Sequence, residues 1–507
     1  MIPGSASGLW PGSGNDMPGM TGKGQGKAGR RDVRDRKPAQ SRQIHGQKSK
    51  KNEYMIVMKF GGTSVANCEA ITRAIEIIRG RLQEKPVVVV SALSKVTDLL
   101  YKLSDAAASK DTAEVDNLLG QLRARHITLA QELMKESPEL CMTACEKVNV
   151  ICDKLTAFVN AVCALGELSD RSKAVIISNG EYLSSNIICH AMNARGIMTG
   201  YMDARDMIIT SRDYLKGEPV SDEIASRTPG IVEKAFKGND AVITQGFVSA
   251  TADGEPTVLG RGGSDYSASL IGMAIDASRI EIWTDVDGVR TADPRRVKNT
   301  KCLDRISFEE AAEMAHFGAK VLHPLTIEPA VKKNIPLYVL NSMNPEGKGT
   351  AILQSSFIED GVKSISCKEN INVINIFSTK MINVSGFLKK VFEIFSENKV
   401  SVDLISTSEA NISVTVDSSQ DIGKVVRQLS EFADVIVDND KSQISVIGKN
   451  IVNLKGMLKN TFAPLRDCKI YMISQGASYV NISFVIDKSA LDTVMQEIHH
   501  YLFETKE

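Results

Sequence analysis

Tyr54-Met-Ile-Val-Met-Lys-Phe-Gly-Gly-Thr-Ser64 is the stretch whose reading decides the fold. Its apolar run, Tyr54–Phe60, reads as a short strand that ends in the glycine pair Gly61-Gly62. A helix follows, with Ile71, Ile75, Ile78 and Leu82 on one face at three- and four-residue spacing. Pro86-Val-Val-Val-Val-Ser91 is then a continuous β-branched run, as expected of a strand buried on both faces. Strand signals recur at Ala174–Ser178, Ala241–Thr244, Arg279–Trp283 and Pro336–Leu340, with helical stretches between them. Alternating strands and helices with buried strands imply an α/β sandwich around a mostly parallel sheet.

Two regions depart from this rhythm. Residues 99–170 carry only helical spacing (Leu118, Leu122; Val148, Ile151, Leu155, Val159, Val162) and read as an inserted helical hairpin. Cys141, Cys145 and Cys152 lie on it; with no histidine close in sequence they read as core residues first, a metal site being the alternative. From about Ile371 the strands alternate apolar and polar residues, and a repeat appears at an offset near 70 residues. Ile371-Asn-Val-Ile, Gly386–Phe392, Leu404-Ile-Ser406 and Asn411-Ile-Ser-Val414 recur as Ile444-Ser-Val-Ile, Gly456–Phe462, Met472-Ile-Ser474 and Asn481-Ile-Ser-Phe484. Each copy reads strand, helix, strand, strand, helix, a ferredoxin-like order. The expected organisation is an extension over 1–53, an α/β domain over 54–350 and two α+β modules over 371–440 and 441–507.

Composition narrows the class. The 507 residues are 43% hydrophobic and 24% charged, which excludes a wholly disordered chain, a collagen and a coiled-coil rod. No run of about 18 apolar residues is present, so no transmembrane helix is expected. Nine cysteines, an odd number, read as reduced thiols and not as a disulfide framework. The zero net charge hides a basic segment: residues 1–52 hold 11 Lys/Arg against 3 Asp/Glu. The remaining body is acidic, which argues against nucleic acid as partner. The Gly-, Ser- and Lys/Arg-rich extension has nothing to form a core. It reads as an upstream addition, with Met55 or Met58 as the natural start and a transit peptide as the alternative; the expected location is cytoplasmic, with a plastid second.

Four motifs carry chemistry. In Lys59-Phe-Gly-Gly-Thr-Ser64 a strand feeds two glycines and a helix start, so backbone N–H groups can turn to an anion and the lysine can neutralise phosphate charge. The spacing is neither that of a Walker A loop nor G-x-G-x-x-G. Leu259-Gly-Arg-Gly-Gly-Ser-Asp-Tyr266 opens a second helix: Arg261 offers a bidentate fork, Ser264 an N-cap, and Asp265 a carboxylate that can orient cations. Trp283-Thr-Asp-Val-Asp-Gly-Val289 ends a buried strand in polar turn residues, where ligands sit in open α/β sheets. Phe317-Gly-Ala-Lys-Val-Leu-His-Pro324 follows a helix opened by the capping box Ser307-Phe-Glu-Glu310, with Lys320 within reach of a phosphate. His316 and His323 read as structural. Two lysines from separate loops, an aspartate and Gly-rich turns suit phosphoryl transfer, which depends on positioning and charge neutralisation.

Together these motifs, in this order and spacing from about Met55 to Phe503, resemble the aspartate kinases of the amino acid kinase family, and the repeated modules resemble a pair of ACT domains. The resemblance implies an amino acid kinase-type α/β sandwich followed by two ferredoxin-like ACT domains, whose strands in this family interleave. It implies ATP-dependent phosphorylation of the β-carboxylate of L-aspartate, the first step towards lysine, threonine and methionine, under amino acid feedback. Lys59 and Asp265 take the catalytic roles. Thr97, Glu181, Phe247, Arg261, Gly262, Gly263 and Ser264 fall on substrate positions, Glu181 facing the α-ammonium and Arg261 a carboxylate. ATP, with Mg²⁺ on its phosphates, falls to Lys59, Gly61, Gly62, Thr284, Asp285, Arg290, Arg295, Lys320 and Val321. Arg290 stands where some relatives have tyrosine. Met381, Gly386, Phe387, Leu388, Ser401, Val402, Asp403, Thr407 and Ser408 match the lysine-binding positions of lysine-inhibited relatives, although Val384 replaces a serine of some of them. Threonine and diaminopimelate are the other candidate effectors. A homodimer through the ACT modules, or a tetramer, is expected. The alternatives are a glutamate or acetylglutamate kinase, which the paired modules and helical insertion disfavour, and an inactive sensor, which retention of Lys59, Asp265 and Lys320 disfavours. No G-x-G-x-x-G follows the second module, so a fused homoserine dehydrogenase is not expected.

Overall fold

The computed structural model describes residues 55–318, 324–379, 385–465, 468–476 and 478–505. The basic extension, Lys320, Val321, His323, Met381 and Val384 lie outside the described residues. Strand Ile56–Phe60 occupies the middle of an eight-stranded sheet, fully buried and parallel to Pro86–Val90 on one side and Arg279–Thr284 on the other. Beyond Pro86–Val90 lie Ala241–Gln245 and Thr199–Tyr201; beyond Arg279–Thr284 lie Leu337–Asn341, Thr350–Leu353 and Arg305–Ser307. The neighbours pair in parallel, except Leu337–Asn341 with Thr350–Leu353. Alternate residues feed two cores. Met58, Phe60, Val88 and Val90 join one cluster; Val57, Val87, Val89, Ile280 and Ile282 join the other. Such two-sided burial is what the β-branched runs require.

The expected strand at Ala174–Ser178 is instead the helix Asp170–Ile177, followed directly by the helix Asn179–Ala194. Ser169 caps it by accepting the Ser172 N–H at 3.1 Å, and Ala174, Ile176 and Ile177 are buried. A five-residue apolar run fits a buried helix turn as well as a strand, and the cap decides between them. The sheet edge expected there is formed by Thr199–Tyr201. A small sheet of Ile209–Thr210, Val248–Thr251 and Pro256–Val258 also forms, too short in each strand to read from pattern.

The insertion is helical: Val96–Ala108, Thr112–Leu133 and Pro138–Leu165. The last is long and apolar enough to cross a membrane by composition alone. Its stripe Ala144, Val148, Cys152, Leu155, Val159 and Val162 is buried in the same core as the sheet. Cys152 belongs to that core, and no group of three metal-ligating side chains occurs among the described residues.

The last third forms one six-stranded antiparallel sheet in the order Ile405–Thr407, Asn411–Asp417, Gly361–Phe377, Asp434–Lys449, Asn481–Asp487, Ile470–Gln475. The two central strands run the width of both modules. Each changes direction at a residue in the left-handed region, Asn370 (φ 56°) and Asp440 (φ 55°), where their register also shifts. Gly361–Lys368 therefore lines up with Lys441–Lys449 and the second module, and Ile371–Phe377 with the first. Helix Phe308–His316 leads from the α/β domain onto this sheet. Phe317, just past it, is buried with Ile371, Val373, Leu404, Met472 and Val485. Gly318 follows at φ 104°, and a Cβ there would stand 2.0 Å from the Cys367 carbonyl oxygen.

Candidate active site

Three of the motifs, those at Lys59–Ser64, Leu259–Tyr266 and Trp283–Asp285, meet at the carboxyl ends of the parallel strands. Lys59 lies on the strand feeding Gly61, whose N–H donates to the Trp283 carbonyl at 3.1 Å. Thr284, at the end of the neighbouring strand, therefore lies beside the Gly61-Gly62 turn. Gly62 packs against the loop after Pro86–Val90: a Cβ would stand 3.1 Å from the Ala92 carbonyl oxygen. Helix Gly263–Ala274 begins at Gly262, itself at φ 71°, and brings Asp265 over Lys59. The Lys59 Nζ stands 2.5 Å from Asp265 Oδ1, both side chains being largely buried. Such a pair costs desolvation and fixes both groups in direction, as a site for phosphate charge requires.

Beside this pair lies a cavity of about 450 Å³. It gathers Thr97, Glu181, Phe247, Arg261, Gly262, Gly263 and Ser264 from four separate segments, with Lys59, Gly62 and Asp265 on its wall. Thr97 sits in the first turn of Val96–Ala108 and Glu181 in the first turn of Asn179–Ala194. Phe247 is held at φ 66°, its N–H donating to Ser267 Oγ at 2.9 Å. Gly263 must lack a side chain, since a Cβ would meet the Phe247 ring at 2.7 Å. The cavity also includes Ser91, Ser94, Lys95 and Tyr101, which the sequence reading missed. Lys95 carries one local signal, a non-glycine residue at φ 65° where the chain turns into its helix.

Glu181 is the most perturbed acid of the site. It is 3% exposed, and its Oε2 has no hydrogen-bond partner. Burial pushes its pKa up to about 8, against backbone N–H donors at Ala92 and at Glu181 itself that favour the carboxylate. A buried carboxyl with a free oxygen aimed into a cavity is built to meet a cation.

The remaining expected residues lie elsewhere. Thr284 Oγ1 donates to Asp285 Oδ1 at 3.2 Å, at the carboxyl end of the strand next to the Gly61 turn. Arg295 is exposed and forks onto Asp293. Arg290 is turned to Thr300, donating to its hydroxyl and its carbonyl at 2.8 Å each. In the C-terminal sheet, Gly386 (φ 90°) opens helix Phe387–Glu397, whose Leu388 is exposed. Ser401, Val402 and Asp403 follow that helix, and Thr407 and Ser408 end the next strand. Gln420 bridges the Ser401 N–H and carbonyl, while Asp403 Oδ2 stands 2.5 Å from Lys368 Nζ.

Residues 54–341 match the amino acid kinase family, and residues 374–431 and 444–502 each match an ACT domain. Aspartokinase 3 of Arabidopsis thaliana, chloroplastic, is 34% identical over 94% of this chain and 86% of its own. Lysine-sensitive aspartokinase 3 of Escherichia coli is 32% identical over 89% of this chain and 99% of its own. Solved structures of the E. coli aspartokinase III superpose over 89% of this chain and all of theirs at 32% identity. The TM-score is 0.78 for the complex with aspartate and ADP and 0.73 for that with lysine and aspartate. The chain belongs to the amino acid kinase family, with a C-terminal pair of ACT domains. Within that family its relatives are aspartokinases, and it is an ATP-dependent kinase that acts on aspartate.

Glu181 sets a pH dependence. Its folded pKa lies above its ordinary value, so the folded state holds an extra proton between pH about 4.5 and about 8. The ligand-free protein is expected to lose stability as pH rises through that window, by at most about 1.4 kcal/mol per pH unit. Denaturant unfolding from pH 5.5 to 8.5 checks this: Glu181→Gln should flatten the slope, and an unchanged slope would clear Glu181 of the effect.

Proposed function

We propose that the chain transfers the γ-phosphoryl group of ATP to the β-carboxylate of L-aspartate, giving 4-phospho-L-aspartate and ADP, and that L-lysine inhibits it. The observation that carries the chemistry is the cavity that sets Arg261 and Glu181 beside the Lys59–Asp265 pair. Arg261 takes the α-carboxylate of the substrate, and Glu181, giving up its proton, takes the α-ammonium. Thr97 and the N–H groups at Gly262–Ser264 take the remaining oxygens. The β-carboxylate oxygen then attacks the γ-phosphorus as the bond to the β–γ bridging oxygen breaks, with ADP as the leaving group. Lys59 neutralises charge on the transferring group and Asp265 holds it in place. Gly61, Gly62, Thr284, Asp285, Arg290, Arg295, Lys320 and Val321 form the nucleotide side. Mg²⁺ travels on the ATP phosphates and neutralises their charge there. The product enters the synthesis of lysine, threonine and methionine.

The effector site lies in the first module. Asp403 already holds one ammonium, that of Lys368, in a pair with little exposure to water. The repeat places Tyr471 of the second copy opposite Asp403, and its hydroxyl is spent on Asp487 at 2.9 Å. The first copy alone thus offers an acid at this position, which fits an effector with two ammonium groups better than threonine. Gly386, Phe387 and Leu388 take its carboxylate, and Met381, Ser401, Val402, Thr407 and Ser408 line the rest. Inhibition is a population shift, and tenfold inhibition needs about 1.4 kcal/mol of differential binding.

ATP turnover with aspartate, glutamate and acetylglutamate, each with and without lysine, threonine and diaminopimelate, tests both halves. Aspartate alone should support turnover, and millimolar lysine should inhibit wild type but not Asp403→Ala. Turnover with glutamate instead, or an Asp403→Ala enzyme fully sensitive to lysine, would overturn the corresponding half.

We further propose a homodimer joined through the two modules, taken as 371–440 and 441–507 with an α/β domain over 54–350. Ile405 and Ile473, on the two edge strands of the regulatory sheet, are each about half exposed, as is Phe377, and Ile436 is more so. Unpaired sheet edges with apolar side chains favour pairing with a second copy. Light scattering at micromolar concentration should give twice the chain mass, and a monomer that keeps its lysine response would contradict the assignment.

A further inference from the structure

The segment after Thr284-Asp285 packs on the α/β core through Val289 and Leu303, but its middle leaves that core. Its Ala292 and Val297 are buried in the core of the second ACT domain, with Ile444, Leu491, Met495 and Ile498. At the centre of this contact stands His499, fully buried on helix Leu491–His499. Its Nε2 lies 2.9 Å from Thr291 Oγ1 and its Nδ1 2.9 Å from Glu504 Oε1.

Counting hydrogens fixes the directions. The Glu504 carboxylate can only accept, so Nδ1–H donates to it; with that one ring proton placed, Nε2 accepts from Thr291 Oγ1, which itself accepts the Lys301 N–H at 3.0 Å. The other Glu504 oxygen accepts from Asn299 Nδ2 at 3.2 Å. Thr291 also exchanges backbone bonds with Lys301 and Ile365. Arg296 pairs with Asp492 and Glu369, and its carbonyl accepts from Gln496 at 3.1 Å. Both limbs of the segment are therefore tied to the C-terminal helix, at Thr291 and at Asn299. Arg295 lies on the stretch so held, and Arg290 immediately precedes it.

We infer that His499, braced by Glu504, is a positioning residue for the nucleotide: through Thr291 it fixes the segment that carries the ATP contacts Asp285, Arg290 and Arg295. This rests on the nucleotide assignment made above. The second ACT domain then serves as the platform of the ATP site as well as a partner of the first. A plain stabilising network would weaken the fold without choosing between substrates; this one acts on ATP.

The test uses the full chain and measures KM for ATP and for aspartate, kcat and unfolding. His499→Phe keeps the ring against Phe503, centroids now 4.9 Å apart, and removes both nitrogens. Thr291→Val removes only the hydroxyl. Each is expected to raise the KM for ATP about tenfold, the loss of one buried hydrogen bond. The KM for aspartate should stay within twofold, and the double variant should be no worse than either single. His499→Gln, whose carbonyl can still accept from Thr291, should recover part of the loss. Asp285→Asn and Arg295→Met serve as controls on the nucleotide assignment. If they raise the KM for ATP while His499→Phe and Thr291→Val do not, the positioning role is wrong and the nucleotide assignment stands. If none of the four raises it, both fall. Parallel rises for ATP and aspartate would also overturn the inference.

Discussion

The pairing of Lys59 with Asp265 is the interaction on which the arrangement of the site depends. Lys59 ends a strand buried on both faces, and Asp265 begins a helix that packs on the same sheet. Neither group would be tolerated so far from water without the other. Their contact therefore ties the turn at Gly61-Gly62 to the turn at Gly260–Ser264. The glycines follow from that closeness: Gly62 against Ala92 and Gly263 against Phe247 leave no room for a Cβ. Glu181 is the counterweight, a carboxyl whose pKa burial pushes up to about 8.

The C-terminal sheet is joined to the α/β domain by two contacts. One is Phe317, seated among Leu404 and its neighbours, with Leu404 next to Asp403 and Phe317 three residues before Lys320. The other is the segment from Asp285 to Asp304, whose Ala292 and Val297 belong to the second ACT core while Val289 and Leu303 pack on the α/β core. The two long central strands are shared by both modules, so their packing is continuous from one to the other. Tightly packed contacts of this kind move between discrete arrangements and transmit small displacements.

Much of the α/β domain was legible because buried parallel strands leave unbroken β-branched runs, as at Pro86–Val90 and Arg279–Thr284. Ala174–Ser178 has the same composition and misled, since its Ser169 cap lies outside the run. Gly361–Lys368 escaped notice: it precedes the repeat and mixes Lys, Ser and Gly with its apolar residues, yet it supplies a strand beside the second module. In the site, glycines and charges in short motifs were conspicuous, whereas Lys95 and Tyr101 reach the cavity only through folding. His499 gave no local signal at all. A histidine on an amphipathic helix acquires its partner Thr291 from a contact across 208 residues of chain, and Glu504, five residues on, joins it only once the chain end is folded back.

The account treats Lys59 and Asp265 as one unit, and a double-mutant cycle on kcat tests that most directly. Lys59→Met and Asp265→Asn should each lower kcat by about 10²–10³ while the folded chain persists. If the two act together, the double variant should fall no more than a few-fold below the weaker single. Losses that multiply, or an Asp265→Asn enzyme within threefold of wild type, would show that the pair is not the centre of the site.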